Sequence, residues 1–271
     1  MNLGVLRKTT RDALGLLLLL LAAFLFFEVV FVRIINEMSR DVGGDLLKLG
    51  FVRQILKLVL GGDLGENLTT TGIMTIGFAS ALPFAFTWTF LLTTCSRVIS
   101  GEIDRGTADL LLTLPVSRTS VYLTTTFVWA AMSLPLALAP LVGIALGDWI
   151  SPLRERVNFA ALAPLVWNLY AFLLAIGGIA MCCSAVFVRR GAAVGWVLAL
   201  LLASFMITFF AGVSPTMQKI AFLSLLEYYR PLPVARSGNV PWNHMAVLVG
   251  VFVVSGGAGL AYFRRRDIPA A

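Results

Sequence analysis

The stretch ALGLLLLLLAAFLFFEVVFV, residues 13–32, is apolar throughout except for the single charged residue Glu28. A run of about 20 predominantly apolar residues is long enough to cross the hydrocarbon core of a bilayer as a helix. The leucines in this run follow one another directly, whereas a strand of a membrane barrel alternates apolar and polar residues. The stretch therefore predicts a transmembrane helix.

Five further intervals without Asp, Glu, Lys or Arg follow along the chain, and each is 27 to 32 residues long. Each interval exceeds the length of one helical crossing. Together with the first stretch they predict an all-α membrane protein with six transmembrane helices, formed by one domain over residues 1–271. The predicted spans are 13–32, 73–96, 121–146, 159–187, 192–210 and 245–263.

The composition of the 271-residue chain supports this class, because 59% of the residues are hydrophobic and only 13% are charged. Soluble domains contain roughly a quarter charged residues. Disordered chains are poor in apolar residues, which excludes them here. Three cysteines are too few to hold together a secreted disulfide scaffold.

The basic residues predict the orientation of the spans. Six spans place both termini on one side, together with the segments 97–120 and 188–191. The segments on that side hold 11 of the 21 Lys and Arg residues, at about twice the density of the other side. We therefore predict cytoplasmic termini. The net charge of +7 is explained by topology, so no nucleic-acid partner is expected.

Two of the predicted outer segments have the pattern of amphipathic helices. Between residues 46 and 60, polar and glycine residues fall on one stripe at helical spacing. After span 5, Ser214 and Pro215 predict a helix start, and this helix is expected to run through Tyr229 and to end before Pro231. We expect both helices to seal the outer mouth of the protein; the alternative is a gate or lateral exit.

The residue types needed for catalysis or metal binding are scattered. A zinc site needs three or four clustered ligands, but His244 is the single histidine and the adjacent Cys182 and Cys183 diverge by about 100° around a helix. No Gly-Lys dipeptide is present, which excludes a Walker A phosphate loop. Glu28 lies near the outer end of span 1, where we expect it to snorkel or to pair locally rather than to relay protons. We predict neither enzyme activity nor a metal site in this chain.

The predicted cytoplasmic loop between spans 2 and 3 has an unusual composition. Residues 96–125 read SRVISGEIDRGTADLLLTLPVSRTSVYLTT. Gly106 permits a sharp turn, Thr107 can cap a short helix, and Pro115 ends it. The leucines give this helix an apolar face, and three acidic residues add a negative patch. Such a surface predicts docking to a partner protein; packing on its own bundle is the alternative.

This loop resembles the first cytoplasmic loop of ABC type-2 transporter permeases. The shared pattern comprises GEIDRGT at 101–107, DLLL at 109–112 and PVSR at 115–118. The segments EYYRP at 227–231 and FRRRDI at 263–268 are similar to the branch that contains the permease of the nitrous-oxide-reductase maturation transporter. The resemblance implies a permease subunit without a nucleotide-binding domain, which works with a separate ATPase that binds ATP and magnesium.

The resemblance also implies that the loop forms a coupling helix, over about 102–114, that contacts the ATPase. The residues implied in coupling are Glu102, Asp104, Gly106, Thr107, Asp109, Leu110, Leu111, Pro115 and Arg118. The connection 188–191 would be a minor contact. Family members work as two permeases with two ATPases, so a homodimer is expected, in preference to a pair with a similar permease.

Small residues at four-residue spacing occur in two predicted spans. Gly191 and Gly195 begin span 5, and Ser255 and Gly259 lie in span 6. This spacing lets helices approach closely in a membrane. Both pairs are predicted to pack helices within one subunit or to join two permeases, and the spacing alone does not choose between these roles.

The function implied is an ATP-driven exporter in the prokaryotic cytoplasmic membrane. The polar side chains that could line a path are Asn168, Tyr170, Thr87, Thr89 and Thr208. Because they are uncharged, they favour a lipophilic or amphipathic substrate. The alternative is a mechanotransducer, which passes ATP-driven motion to an extracytoplasmic partner that matures a metalloenzyme, with the segment 33–72 as the contact.

Overall fold

The computed structural model describes residues 3–41, 69–98, 117–153 and 155–265. Every regular element within these ranges is helical, and six helical stretches are long and apolar enough to cross a membrane. This confirms the predicted all-α fold with six spans. The observed spans are span 1 (Leu3–Asp41), span 2 (Thr70–Arg97), span 3 (Arg118–Ile150), span 4 (Phe159–Val186), span 5 (Arg190–Ala211) and span 6 (Trp242–Arg265).

Span 1 is nearly twice as long as the apolar stretch 13–32, because the helix continues in both directions into charged sequence. At its end, Arg33 and Glu37 form an exposed ion pair at i,i+4 spacing, with Nε and Oε1 3.2 Å apart. On the adjoining face, Val32 and Asn36 are buried. Hydrophobicity therefore marks the part of the helix that crosses the bilayer, whereas the helix itself extends beyond that part.

Span 2 is not the single helix predicted at 73–96. It consists of the successive helices Thr70–Met74, Ile76–Ala79 and Ala81–Val98. The break between the last two lies at Ser80, whose backbone is extended. Pro83 lies in the first turn of the next helix. If span 2 were one continuous helix, the ring of Pro83 would clash with the backbone carbonyl four residues earlier. The proline therefore gives a local reason for the break.

Contacts between the ends of the spans show an up-and-down arrangement. Near the start of span 1, Asp12 lies 3.9 Å from Arg97 at the end of span 2. Near the end of span 1, Asn36 donates a 2.8 Å hydrogen bond to the hydroxyl of Ser151, which follows span 3. The ring of Phe263 at the end of span 6 packs beside the start of span 3. Successive spans therefore run in opposite directions, and the start of span 1 and the end of span 6 lie at the same end of the bundle, which is the predicted inner end.

Span 4 forms the centre of the bundle. In span 4, 67% of the apolar stretch that is suited to cross the membrane is buried, compared with 22% in span 5 and 17% in span 6. Its side chains pack against spans 2, 3, 5 and 6. Spans 5 and 6 therefore present most of their apolar surface outward, to lipid or to another protein.

The region after span 5 differs from the single amphipathic helix predicted through Tyr229. Its elements are a short helix Pro215–Gln218, two 3-10 turns Ala221–Leu223 and Leu225–Tyr228, and a helix Pro231–Ser237. Ser224 separates the two turns, because its backbone is extended and its hydroxyl donates to the carbonyl of Ser204 in span 5. Pro231 occupies the first position of the last helix, where the missing N–H has no cost. The prediction of one continuous helix was therefore wrong.

The first predicted outer helix, residues 46–60, lies outside the described residues, as does the predicted coupling helix at 102–114.

Candidate functional site

Of the residues implied in ATPase coupling, the structure describes Arg118, which is the first residue of span 3 and is half-buried. The others lie outside the described ranges: Glu102, Asp104, Gly106, Thr107, Asp109, Leu110, Leu111 and Pro115. The structure does describe the two helix ends that the loop connects, at Val98 and Ser117. The contacts of these two helix ends determine which spans would move if the loop were displaced.

The end of span 2, which leads into the loop, is attached to two neighbouring spans. Arg190 at the start of span 5 donates a 3.1 Å hydrogen bond from Nε to the hydroxyl of Ser96, which is almost fully buried. Arg97 faces Asp12 of span 1, but both side chains are partly exposed. Because an exposed ion pair contributes little, the hydrogen bond from the guanidinium to buried Ser96 is the stronger attachment.

The start of span 3, which leaves the loop, is capped and attached to span 6. The Ser117 hydroxyl accepts a 3.2 Å hydrogen bond from the backbone N–H of Ser120, an N-cap that ends the loop at a defined position. One turn into the helix, buried Tyr122 donates a 3.0 Å hydrogen bond to the carbonyl of Gly256. A displacement of the loop would therefore act on spans 1, 5 and 6 as well as on spans 2 and 3.

The connection 188–191, implied as a minor ATPase contact, contains two arginines with different environments. Arg189 is exposed at the N-cap position of span 5 and makes no side-chain capping bond. Arg190 is half-buried and bonded to Ser96. Arg189 is therefore the more accessible of the two for a partner protein.

Ser255 and Gly259 lie against span 4 of the same subunit. A Cβ atom added to Gly259 would stand 2.8 Å from Cα of Cys182, and one added to Gly178 would stand 2.7 Å from Oγ of Ser255. Real Cβ atoms do not approach other atoms this closely, so the absence of a side chain at both glycines permits the contact. This glycine and serine pair packs spans 4 and 6.

Gly191 and Gly195 have a different environment from that pair. Among the described residues, no neighbouring atom lies within 4 Å of a Cβ added to either glycine. The neighbouring Trp196 is 61% exposed. The described part of the subunit therefore leaves this face of span 5 uncovered.

A third pair with the same spacing, Gly143 and Gly147 of span 3, escaped the sequence analysis. A Cβ atom on Gly143 would stand 2.4 Å from Cβ of Glu28, and one on Gly147 would stand 2.7 Å from Cβ of Val32. The pair thus allows span 1 to pack directly on the backbone of span 3. The Gly-x-x-x-Gly pattern at 143–147 in the sequence could have predicted this close contact.

The prediction that Glu28 snorkels or pairs locally was wrong. Its side chain is completely buried, and neither carboxylate oxygen has a hydrogen-bond partner within the described part of the chain. The stem of the side chain rests on Gly143, and the carboxyl group faces Gly77 of span 2.

Most polar side chains suggested as a path lining are engaged within the subunit. Asn168 donates to the Tyr228 carbonyl, Tyr170 to the Ala130 carbonyl and Thr87 to the Pro83 carbonyl, while Thr208 shares a hydrogen bond with Ser224. Thr89 is exposed on span 2. Asn168, Tyr170 and Thr208 thus connect different elements of the bundle, whereas the hydrogen bond of Thr87 lies within span 2.

At the predicted outer end, the segment 227–231 is built into the bundle. The ring of Tyr229 stacks on Phe172 of span 4 with 5.1 Å between centroids, and its hydroxyl donates a 2.9 Å hydrogen bond to the carbonyl of Phe78 in span 2. Glu227 and Arg230 form an ion pair, and burial lowers the pKa of the Arg230 guanidinium. Tyr229 therefore joins spans 2 and 4 at the point where span 2 is broken.

A cavity of about 490 Å³ lies beside this segment, between the starts of spans 2 and 4 and the helix Pro231–Ser237. Its lining combines apolar residues, among them Leu232 and Ala235, with the polar residues Thr69, Asn158 and Arg236. Thr69 and Asn158 use their side-chain oxygens to cap the helices that follow them.

Comparison with known proteins agrees with this architecture. The model of the ABC-2 family transporter proteins matches residues 61–215, which is more than half of the chain and includes the predicted coupling loop. A search of curated proteins finds no match. Proteins of this family are membrane transport components that generally work with a separate ATPase subunit. The resemblance seen in the loop is thus confirmed: the chain belongs to the ABC-2 transporter family and is a multi-pass permease subunit of an ABC transporter.

Proposed function

We propose that this permease is half of an ATP-driven exporter and that its partner ATPase acts on it through the loop at 102–114. The observation that carries this proposal is the attachment of both ends of the loop. Ser96 before the loop is bonded to span 5, and Tyr122 after the loop is bonded to span 6. Force on the loop is therefore distributed over the bundle rather than absorbed by one helix.

In this mechanism the ATPase dimer closes on binding ATP and displaces the coupling helix. An ATPase that binds one permease conformation more tightly than another shifts the population toward it, and the permease changes the ATPase affinity reciprocally. The break in span 2 at Ser80 provides a position at which its inner helix, Ala81–Val98, can change angle relative to the outer segments. The inner helix would then follow the loop.

The outward apolar faces support a lipophilic or amphipathic substrate. Spans 5 and 6 expose large apolar side chains, among them Trp196, Phe210 and Val254. Because Asn168, Tyr170, Thr87 and Thr208 are engaged within the subunit, we place the transport path between two permease copies. The open Gly191 and Gly195 on span 5 would allow close approach of the second copy, in a homodimer with two ATPases.

We place the protein in the prokaryotic cytoplasmic membrane with both termini on the cytoplasmic side. The density of Lys and Arg at the inner end supports this orientation.

The first experiment is purification of the tagged chain from its native host in mild detergent, followed by mass spectrometry and an ATPase assay. We expect two copies of the permease with two copies of one ATPase. Recovery of an additional outer-side protein, with no solute movement in reconstituted vesicles, would favour the mechanotransducer. A chain recovered without ATPase in several detergents would contradict the proposal.

The second experiment tests the loop directly. Gly106→Pro and Asp109→Lys are expected to insert normally and to abolish stimulation of the ATPase by the permease, because they change the turn and the charge of the proposed coupling helix. Glu37→Lys is the control, since it makes the same charge change at an exposed site on the predicted outer side. Unaltered stimulation in both loop variants would exclude a coupling role for 102–114.

A further inference from the structure

The carboxyl group of Glu28 occupies an unusual position in the bundle. The side chain is 0% exposed, although it lies within the apolar stretch 13–32 that crosses the membrane. Both carboxylate oxygens are without a hydrogen-bond partner among the described residues. Ionisable residues within membrane spans are costly and mark functional positions.

Two glycines from different spans form a notch that receives this side chain, and we name it the glycine notch. A Cβ atom on Gly143 of span 3 would stand 2.4 Å from Cβ of Glu28, and one on Gly77 of span 2 would stand 2.4 Å from its Oε2. Alanine at Gly143 would therefore collide with the stem of Glu28, and alanine at Gly77 would force its carboxyl group to move. Gly77 lies seven residues after the start of span 2, and Gly143 lies seven residues before the end of span 3. Both of these helix ends are on the predicted outer side, so the two glycines are at a similar depth.

No positive charge faces the notch in the described residues. The segment Thr70–Ala79, which carries Gly77, contains no charged or titratable side chain, and Cys95 and Arg97 lie at the opposite end of span 2. On span 3, Asp148 accepts a 3.0 Å hydrogen bond from the backbone N–H of Leu153.

The remaining titratable groups near the notch are also uncharged or engaged. On span 1, Arg33 and Glu37 pair with each other on the exposed face. Tyr229 is within electrostatic reach of Glu28: burial, and then the charge that Glu28 carries when ionised, raises the pKa of Tyr229 well above its ordinary value. The Tyr229 hydroxyl is already donated to the Phe78 carbonyl at 2.9 Å.

An ionised carboxylate in these surroundings would lack both counter-charge and hydrogen bonds, at a cost of several kcal/mol. A metal cation would not relieve this cost, because hard cations require about six oxygen ligands and the glycine notch contributes no side chain. A proton needs no further ligand and leaves the group neutral. We propose that Glu28 is a proton-binding site and that the bound proton allows span 1 to close into the glycine notch.

Release of the proton leaves a carboxylate, which is stable only where water reaches it. Deprotonation therefore favours conformations in which span 1 moves away from Gly77 and Gly143. Glu28 lies four residues before the end of the predicted 13–32 crossing, roughly 6 Å along the helix axis. The proton exchanges with water on the predicted outer side. This inference goes beyond export and does not depend on the ATPase.

Infrared spectroscopy of the purified full-length chain in lipid nanodiscs tests this proposal without any ATPase. At neutral pH we expect the C=O stretching band of a protonated carboxyl group, which disappears in Glu28→Gln. Glu37→Gln is the matched control, because Glu37 is exposed and paired on the same helix, and it should retain the full band. Glu28→Asp shortens the side chain by one methylene group, so that the carboxyl group lies farther from Gly77. Because its surroundings change, its C=O band should shift in frequency.

The proposal is overturned if wild type and Glu28→Gln have the same band, or if the band is lost equally in the Glu37 variant. If Glu28→Gln fails to insert, Glu28→Asp decides: an unshifted band means that the protonated group is elsewhere. None of these outcomes bears on the coupling loop, so they distinguish failure of the proton site from failure of the proposed transport function.

Discussion

The replacement Gly259→Ala tests whether the small residues of span 6 hold one subunit together or join two permeases. Gly257→Ala is its matched control, two residues away on the same helix. A Cβ atom on Gly259 would stand 2.5 Å from the hydroxyl of Tyr122 and 2.8 Å from Cα of Cys182, whereas one on Gly257 would meet no atom of the described residues within 4 Å.

The magnitude follows from the two contacts. Forcing an extra methyl group into a filled core costs about 1–3 kcal/mol, and here the obstacle at Cys182 is backbone, which does not rotate away. Displacing the Tyr122 hydroxyl also weakens its hydrogen bond to Gly256, at about 1 kcal/mol. The gain in helix propensity from Gly to Ala, up to about 1 kcal/mol, is common to both variants. The free energy of unfolding should therefore be about 2–4 kcal/mol lower for Gly259→Ala than for Gly257→Ala.

The assay is reversible unfolding of both variants and the wild type in mild detergent, with increasing amounts of a denaturing detergent. Tryptophan fluorescence is a suitable signal, because Trp129 of span 3 lies edge-on to Phe252 of span 6 with 5.9 Å between ring centroids. Separation of span 6 from the bundle removes this contact.

Equal stability of the two alanine variants would refute the packing argument. A Gly259→Ala variant that unfolds like the wild type but no longer forms permease dimers would place Gly259 between subunits instead.

Three other substitutions have outcomes that the structure predicts. Asn36→Ala should lower the free energy of unfolding by about 1–3 kcal/mol, since it removes buried hydrogen bonds between spans 1 and 3, whereas the exposed Glu37→Ala should change it by less than about 0.5 kcal/mol; equal effects would contradict this. Arg190→Ala should weaken permease-stimulated ATPase activity about tenfold, equivalent to ~1.4 kcal/mol of coupling, while Arg189→Ala retains it; the reverse order would show that the exposed arginine is the coupling residue. Tyr229→Phe should cost about 1 kcal/mol in thermal unfolding experiments, because the hydrogen bond from Tyr229 to span 2 is lost and the ring stacking on span 4 stays; unchanged stability would exclude that bond as a contributor.

The number of spans and the fold class could be read from the sequence because transfer of charge into hydrocarbon is a local cost. Each uncharged interval must cross the membrane or be buried, whatever its neighbours are. The loop at 102–114 was found for the same reason, since its leucines and acids are out of place in an ordinary cytoplasmic loop. Neither inference required knowledge of which helices touch.

The partners of single residues could not be read in this way. The pairs Gly143/Gly147 and Ser255/Gly259 share the spacing of Gly191 and Gly195, yet the tertiary structure closes these two pairs against other spans and leaves Gly191 and Gly195 without a neighbour among the described residues. The spacing makes a close approach of two helices possible, but whether they approach depends on which helix lies opposite the small residues. In the same way, Ser96 and Arg190 are 94 residues apart, and only the packing of spans 2 and 5 joins them.

Glu28 is the clearest example of the difference between what the local sequence determines and what the packing of the helices determines. The sequence determines that a carboxyl group enters the membrane near the end of the apolar stretch 13–32, where a long side chain could reach water. The tertiary structure turns it the other way, into the glycine notch. The side chain can lie there only because Gly77 and Gly143 together leave space for it. Burial is a property of all the surrounding helices at once, so it is decided by their packing and not by the local sequence.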